Sequence, residues 1–212
     1  MTELHDRWAC LPTVGPLVLA SASPRRRELL ARAGLDPEVL PAEVDESVLD
    51  AEPPAQYVER VARAKAAAVA VRRPDALVLA ADTAVVSGGT ALGKPVDRND
   101  ALAMLTRLSG RTHEVLTAVV VQHGDTVLHT TEVARVTMGL LGAAELHWYV
   151  DTGEPFDKAG GYALQGSGAM LVERVDGDPT TVIGLPLRRT ITLLATAGLT
   201  WPPPSSAISS DS

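Results

Sequence analysis

The chain has 212 residues, enough for one large or two small domains, and 46% of them are apolar, so a sizeable core can form. Its formal net charge of −7 argues against a nonspecific nucleic-acid binder, because proteins of that class are usually basic. The single cysteine, Cys10, excludes an intramolecular disulfide, and no apolar run reaches the roughly 18 residues of a membrane helix. The polar first residues lack the apolar core of a signal peptide, so we expect a cytoplasmic protein with no membrane and no nucleic-acid partner.

Short apolar runs alternate with helical patterns along the chain. We expect an N-terminal extension at residues 1–15, one folded domain at 16–200, and a disordered Pro/Ser tail at 201–212. The predicted elements are, in chain order, a buried strand at Leu17–Ala20, a helix at Pro24–Ala33, a helix at Pro54–Arg73 with Tyr57, Val61, Ala64 and Ala68 on its apolar face, a buried strand at Ala76–Asp82, a helix capped by Asp97 and running to Leu108, two or three strands between Val115 and Met138 with a turn at His123–Thr126, a helix at Ala143–Val150, a hairpin between Met170 and Leu185, and a helix at Pro186–Ala197. This mixed order predicts an α/β protein with a mixed sheet rather than a simple doubly wound one.

Arginines stand at the start of the first predicted helix, within "ASASPRRRELL". Ser23 suits the N-cap position, which puts Arg25 and Arg26 in the first turn. Cations there oppose the helix dipole, at about 0.3–1 kcal/mol each when exposed, whereas a bound phosphate would reverse the sign. The pattern indicates an anion site formed by backbone N–H groups, the two arginines and the hydroxyls of Ser21 and Ser23. A solvated basic helix end is the alternative.

Two groups of carboxylates are candidates for catalysis or metal binding. Asp82 ends a predicted strand, and ligands of α/β proteins bind at the carboxyl ends of buried strands. It could hold a metal, act as a base, or simply cap N–H groups of a loop. Glu43, Asp45 and Glu46 crowd one short stretch that fits Mg²⁺, which needs few carboxylates and takes its other ligands from water and phosphate. A solvated acidic loop is the commoner outcome for such a run.

Two lysines are candidate phosphate ligands, and the absence of several known motifs excludes other kinds of site. Lys65 lies on the apolar side of its predicted helix, where it either extends to solvent or points at a phosphate or carboxylate. Lys94 follows the glycine turn at residues 88–89 and can serve as a point charge for phosphate. The sequence has no zinc-ligand histidine spacing, no Walker A motif, no G-x-G-x-x-G after a strand and no nucleophile elbow. Bound phosphates would therefore be held by arginine and lysine.

A series of motifs in fixed order resembles the Maf family of nucleoside triphosphate pyrophosphatases, also called septum formation inhibitor proteins. The motifs are "LVLASASPRRRELL", "EVDES", "ERVARAKA", "LVLAADTAVV", "GKP", "LSGRTHEVLTAV", "GEPFDKAGGYALQGSGA" and "VIGLPL". The resemblance runs from about Leu17 to Leu199. It implies an α/β fold with an elongated mixed β-sheet flanked by helices, two lobes and a central cleft, related to the inosine triphosphatase fold.

The resemblance also implies an activity and the residues that perform it. Family members are nucleoside triphosphate diphosphatases, which cleave between the α and β phosphates with a divalent metal, Mg²⁺ or Mn²⁺. Asp82 matches the catalytic proton acceptor, and Glu46, Lys65 and Lys94 match further catalytic positions, with Glu46 and Asp82 placed to hold the metal. The implied partners are a nucleoside triphosphate and a second copy of the chain in a homodimer. The expected substrate-binding residues are Ser21, Ser23, Arg25, Arg26, Thr83 and Gln165.

The text "GYALQG" decides the expected branch of the family. One branch carries Y-x-I-Q-G and acts on dTTP and UTP, including some modified pyrimidines, whereas another carries C-E-G there and prefers 7-methyl-GTP. Gln165 matches the first branch, with Leu164 in place of the usual isoleucine. A glutamine amide both donates and accepts, which suits the O4/N3–H edge of uracil or thymine. A nucleotide-binding regulator of cell division with little turnover, and a pyrophosphatase of other base specificity, stay open as alternatives.

Overall fold

The computed structural model describes residues 15–202. The expected N-terminal extension up to residue 14, and the expected tail from residue 203, lie outside the described residues. Within the described range, no helix is both long and apolar enough to cross a bilayer. The elements are the strands β1 (Leu17–Leu19), β2 (Glu38–Val39), β3 (Leu77–Ser87), β4 (Thr90–Leu92), β5 (Thr112–His123), β6 (Thr126–Met138) and β7 (Val172–Asp176), and the helices α1 (Pro24–Arg32), α2 (Pro54–Arg72), α3 (Arg98–Leu108), α4 (Ala143–Asp151), α5 (Pro179–Ile183) and α6 (Leu187–Thr196).

One mixed sheet organises the fold. Its strands lie in the order β2-β1-β3-β5-β6-β7, and β4 pairs with β3 off this path. β1 runs parallel to β2 and β3, whereas the other pairs are antiparallel. Apolar cores cover both faces of the sheet, one of them under α2 and another under α1 and α6. The expected α/β class with a mixed sheet and flanking helices is therefore confirmed.

A gap along one edge of β3 divides the sheet into two lobes. On its other edge β3 pairs with β5 continuously from Val78 to Val86. On the gapped edge it pairs with β1 at Leu77–Leu79 and with β4 at Val85–Ser87. In the described part of the chain, no strand pairs with residues 80–84 on that edge. A cleft therefore opens between the end of β1 and the start of α1 on one side and the β4 loop on the other.

The alternation of side chains along β3 gives its two faces different neighbours. Even-numbered residues such as Ala80 and Ala84 pack into the core beneath α2. Odd-numbered residues pack on the opposite face, Ala81 in the core beneath α1 and α6 and Val85 in the core of the second lobe. Asp82 consequently projects toward α2, and its neighbour Thr83 projects toward the opposite face.

Most predicted elements are confirmed, but two local predictions are wrong and two short strands were missed. β3 does not end at Asp82: it continues to Ser87, because apolar residues resume after Thr83, and Asp82 lies in its middle. The hairpin expected between Met170 and Leu185 is one strand, β7, followed by α5, which begins where the Asp178 carboxylate accepts from the Thr180 N–H. The strands β2 and β4 were not predicted, because two or three residues are too few to show a period.

The buried face of α2 also differs from the predicted one. Val61 is buried as expected, but Tyr57, Ala64 and Ala68 are only half-buried. The residues that face the sheet are Val58, Ala62, Lys65, Ala66 and Val69. Because seven of the 19 residues of α2 are alanines, composition alone marks no single stripe, and the sheet selects the face that carries Val58, Val61, Val69 and Lys65.

Candidate active site

A cavity of about 660 Å³ occupies the cleft at the gap in β3. This volume is within the range of small-molecule sites. The cavity brings together segments that are far apart in sequence, from the start of α1 to the loop before β7. Its lining includes ten predicted residues, Ser21, Ser23, Arg25, Arg26, Glu46, Lys65, Asp82, Thr83, Lys94 and Gln165. Glu43 and Asp45, the other two carboxylates of the acidic run, do not line it.

An ionic cluster stands on the α2 side of β3. Lys65 Nζ lies 2.8 Å from Asp82 Oδ1 and 2.9 Å from Glu46 Oε1. Lys65 and Asp82 are buried, whereas Glu46 comes from an exposed loop. Burial raises the pKa of Asp82, and the positive charges of Lys65 and Arg26 oppose that rise. The cluster thus holds a carboxylate beside a cation, with access to the cavity.

Tyr57 belongs to the same side of the cavity and was missed by the sequence interpretation. Its hydroxyl donates to the carbonyl oxygen of Glu46 at 3.1 Å and so anchors the acidic loop to α2. Burial and the negative charges of Asp82 and Glu46 raise its pKa to about 12, which keeps the phenol protonated. The sequence signal that could have found it was its position in the first turn of α2, directly before the buried Val58.

The two arginines of α1 lie in different environments. Arg26 is buried and donates from Nε to the Gly184 carbonyl at 2.8 Å, from Nη1 to Ser21 Oγ at 3.0 Å, and from Nη2 to Thr83 Oγ1 at 3.2 Å. Burial lowers its pKa, and the charge of Asp82 opposes that effect. Arg25 is partly exposed, 3.4 Å from Asp157 Oδ2. Arg26 therefore ties α1 to β3 and to the segment after α5, and Arg25 is freer to meet a ligand.

Ser23 occupies the N-cap of α1 with extended backbone angles, as predicted. Its hydroxyl makes no capping hydrogen bond, so the expected side-chain cap is wrong. Its own N–H donates to Ser21 Oγ at 3.3 Å. The first turn of α1 faces the cavity without a side-chain cap, which leaves its N–H groups available to an anion.

Gln165 lies on the opposite side of the cavity, in the loop that packs on the Val85 face. Gly160 has a φ of +71°, and a Cβ there would lie 2.8 Å from Val85 Cγ1, so only glycine lets this loop approach β3 so closely. Gln165 Oε1 is buried and has no hydrogen-bond partner within residues 15–202. An acceptor without a partner at a cavity wall is suited to an N–H group of a ligand.

A carboxylate that was not predicted holds the Gln165 loop in place. Glu154 accepts from Ser167 N at 2.8 Å, from Gly168 N at 3.0 Å and from the Tyr149 hydroxyl at 3.0 Å. Its oxygens also lie against Gly166, where a Cβ would meet Oε2 at 2.6 Å. The motif "GEPFDKAGGYALQGSGA" was recognised as a whole, but nothing in its spacing indicates which carboxylate faces the backbone.

Cations line the cavity mouth in addition to Arg25. Lys94 is exposed on the loop after β4, and no carboxylate of the described chain lies within ion-pair distance of it. Lys158, which was not predicted, pairs with Asp157 at 2.5 Å and donates to the Glu154 carbonyl at 2.7 Å. The cavity therefore presents positive charge at its entrance and an ionic cluster on its inner wall.

The carboxylates present fit a divalent metal that arrives with a nucleotide. Among the described residues, no group of three or more His, Cys, Asp or Glu side chains could hold a metal by itself. Asp82 and Glu46 approach one another through their common partner Lys65. One or two carboxylates completed by phosphate oxygens and water form the donor set that Mg²⁺ uses in nucleotide sites.

Comparisons with known proteins place the chain in a family. Residues 16–197 match the family described as Maf-like protein. Proteins named dTTP/UTP pyrophosphatase from Anaeromyxobacter dehalogenans strain 2CP-1, Myxococcus xanthus and Symbiobacterium thermophilum are 56%, 52% and 50% identical to it. The matches cover 88%, 88% and 86% of this chain and 96%, 94% and 94% of those proteins, in the same order.

A solved structure supports the fold. A Ham1 protein from Coxiella burnetii is similar with a TM-score of 0.50 and 14% identity, over 85% of this chain and 98% of that one. At this identity the similarity concerns the fold alone, and it agrees with the expected inosine triphosphatase-like class. Together with the matched family and the relatives, these findings lead to one conclusion: the chain belongs to the Maf family.

Proposed function

We propose that the protein is a nucleoside triphosphate diphosphatase that hydrolyses the bond between the α and β phosphates of dTTP and UTP, giving the monophosphate and pyrophosphate. The observation that carries the proposal is the cavity at the gap in β3, where the Asp82–Lys65–Glu46 cluster lies on the α2 face of β3 and the loop that carries Gln165 packs on the opposite face. The names of the relatives above point to the same reaction.

The polyphosphate is bound by positive charge. Arg25, Lys94 and the open first turn of α1 face the cavity, and none of these groups is buried in the core. The hydroxyls of Ser21 and Ser23 lie beside these groups. Arg26 donates to Ser21 Oγ, which also accepts from the Ser23 N–H, so Arg26 holds this segment in place. As the bond to the leaving pyrophosphate breaks, Lys65 and Lys94 neutralise the charge that develops on it.

Asp82 accepts the proton of the attacking water. The water adds to the α phosphorus, the bridging bond to the β phosphate breaks, and pyrophosphate leaves with that electron pair. Burial raises the pKa of Asp82, which makes it a stronger base than an exposed aspartate, while the charge of Lys65 favours its ionised form. Mg²⁺ or Mn²⁺, held by Asp82 and Glu46, would neutralise phosphate charge and polarise bound water.

The base is recognised on the Thr83 side of the cavity. Gln165 offers a buried amide oxygen without a partner, and its amide nitrogen can donate. That pair of groups matches the O4/N3–H edge shared by uracil and thymine. We infer that the enzyme works in the cytoplasm, as its single cysteine indicates, and as a homodimer, as the family resemblance implies.

The test is a panel of nucleotides with product identification. Purified protein is incubated with Mg²⁺ or Mn²⁺ and with dTTP, UTP, CTP, GTP, 7-methyl-GTP or ITP, and chromatography separates monophosphate plus pyrophosphate from diphosphate plus phosphate. We expect monophosphate and pyrophosphate from dTTP and UTP. Tight nucleotide binding without product would instead indicate a regulator of cell division, and turnover of 7-methyl-GTP alone would indicate the other branch.

A further inference from the structure

Thr83 lies in a chain of hydrogen bonds whose direction is fixed at both ends. Thr83 Oγ1 lies 3.2 Å from Arg26 Nη2 and 2.9 Å from Thr117 Oγ1. Thr117 Oγ1 in turn lies 2.8 Å from the carbonyl oxygen of Thr181. A guanidinium only donates and a carbonyl only accepts. Arg26 therefore donates to Thr83, and Thr117 donates to Thr181.

The direction of the middle bond follows from these two. A hydroxyl has one hydrogen and two lone pairs. Thr117 uses its hydrogen on Thr181, so it must accept from Thr83. Thr83 then uses its only hydrogen on Thr117 and one lone pair on Arg26, and a single lone pair remains. Toward the cavity, Thr83 can accept a hydrogen bond but cannot donate one.

The burial of Thr117 protects this arrangement. Thr117 has no exposed surface and stands directly opposite Thr83 in the β3–β5 register, on the same face of the sheet. No solvent reaches its hydroxyl to offer a competing partner. Thr83 itself is partly exposed and lines the cavity on the side of the Gln165 loop. Thr117 does not line the cavity, so any effect it has on a ligand passes through Thr83.

We propose that Thr117 is a positioning residue for base selection: it holds Thr83 as an acceptor-only group, which favours pyrimidines that carry a hydrogen on N3. Uracil and thymine have an N3–H, whereas cytosine has a lone pair there. An acceptor near N3, beside the Gln165 amide oxygen that shares the same N3–H, attracts the first two bases and repels the third. The inference rests on the proposed function and adds a residue outside the cavity to it.

The test compares UTP with CTP, which differ only at the edge in question. Thr117→Val keeps the shape but removes the hydroxyl, so Thr83 is free to turn its hydrogen toward the nucleotide. We expect the ratio of kcat/KM for UTP over CTP to fall by about ten-fold. Thr117→Ser restores a hydroxyl and is expected to keep the wild-type ratio.

Thr181→Val is the matched control. Thr181 is as buried as Thr117, but its Oγ1 has no partner in the described chain, so its loss leaves the hydrogen-bond chain intact. If Thr117→Val does not fold, Thr117→Ala removes the same hydroxyl in a smaller side chain and is also expected to lose the ratio.

The outcomes separate the inference from the proposed function. An unchanged ratio in folded Thr117→Val, or an equal fall in Thr117→Ser or Thr181→Val, would overturn the role of Thr117. In the first case selection does not pass through this hydroxyl, and in the second the effect is one of packing. Wild-type protein that releases no pyrophosphate from UTP would instead overturn the proposed function itself.

Discussion

Asp82 and Thr83 are neighbours in sequence, yet the two sides of β3 on which they stand are built from different kinds of interaction. Asp82 belongs to an ionic cluster with Lys65 and Glu46. Thr83 belongs to a network of hydroxyls, two carbonyls and one buried arginine. Because the edge of β3 is unpaired between β1 and β4, one ligand can reach both sides. In the proposed function, phosphate chemistry and base recognition are thus separated by a single peptide unit of β3.

The largest effect is expected from Asp82→Asn, which removes the proton acceptor but keeps the size of the side chain. Turnover of dTTP should fall by about a hundred- to ten-thousand-fold, because the water loses its general base. Pyrophosphate release measures this, and a thermal melt checks the fold. Asp75→Asn, an exposed carboxylate just before the same strand, is the control. Activity near wild type in folded Asp82→Asn would remove Asp82 from catalysis.

Lys65→Met should come next, with a loss of roughly a hundred-fold in kcat, because a cation beside the reacting phosphate is removed. It should also change the pH profile. Lys65 favours the ionised form of Asp82, so its removal raises the pKa of that carboxyl further, and the rise of activity with pH moves to higher pH. Arg72→Met, an exposed cation at the end of α2, serves as the control.

The pH profile of Lys65→Met can contradict the account in a specific way. If the acid limb of kcat/KM keeps its wild-type position, Asp82 is not the group that titrates in the reaction. A limb that moves to lower pH would mean that Lys65 disfavours the ionised form, against the ion pair observed between them.

Gln165→Glu tests the other side of β3. The change replaces the amide donor by a carboxylate next to the base, so kcat/KM for dTTP and UTP should fall by about ten-fold while the melting temperature changes little. A panel of nucleotides measures this, with Gln56→Glu on the exposed surface of α2 as control. An unchanged substrate profile would exclude Gln165 from base recognition.

The smallest effect on catalysis is expected from Glu154→Gln. The amide can accept fewer of the hydrogen bonds that Ser167 N, Gly168 N and the Tyr149 hydroxyl now donate, so the protein should lose about 1–3 kcal/mol in free energy of unfolding. The looser Gln165 loop should raise KM several-fold and leave kcat nearly unchanged. Denaturant unfolding and steady-state kinetics measure both, with exposed Glu173→Gln as control. A fall in kcat with KM unchanged would contradict a role in holding the loop.

The elements and the members of the cavity were largely predictable from sequence, but their arrangement was not. The apolar periods and caps indicated every helix except α5, and the motif series indicated all ten predicted site residues that line the cavity. The prediction that Asp82 ends its strand was wrong, because an apolar run does not show where a neighbouring strand stops pairing. That property depends on β1 and β4, which lie far from Asp82 in sequence and pair with β3 only in the folded sheet.

The hydrogen-bond partners were the least predictable part of the site. Arg26 was expected to bind phosphate directly, and its three bonds to Gly184, Ser21 and Thr83 depend on residues up to 158 positions away. Thr117 and Glu154 lie within recognised motifs, but the motifs do not reveal their partners, which are hydroxyls, a carbonyl and backbone N–H groups. Such contacts follow from register and loop path rather than from residue type.

The central claim is that phosphate chemistry takes place on the Asp82 side of β3 and base recognition on the Thr83 side. It is tested most directly by a crystal structure of the protein with Mg²⁺ and α,β-methylene-dTTP, whose α–β bridge cannot be hydrolysed. We expect the triphosphate beside Lys65 and Asp82, reaching the start of α1, and the thymine against Thr83 and Gln165. A thymine stacked on the Asp82 side, or a triphosphate that contacts Gln165 instead, would contradict the assignment of the two sides.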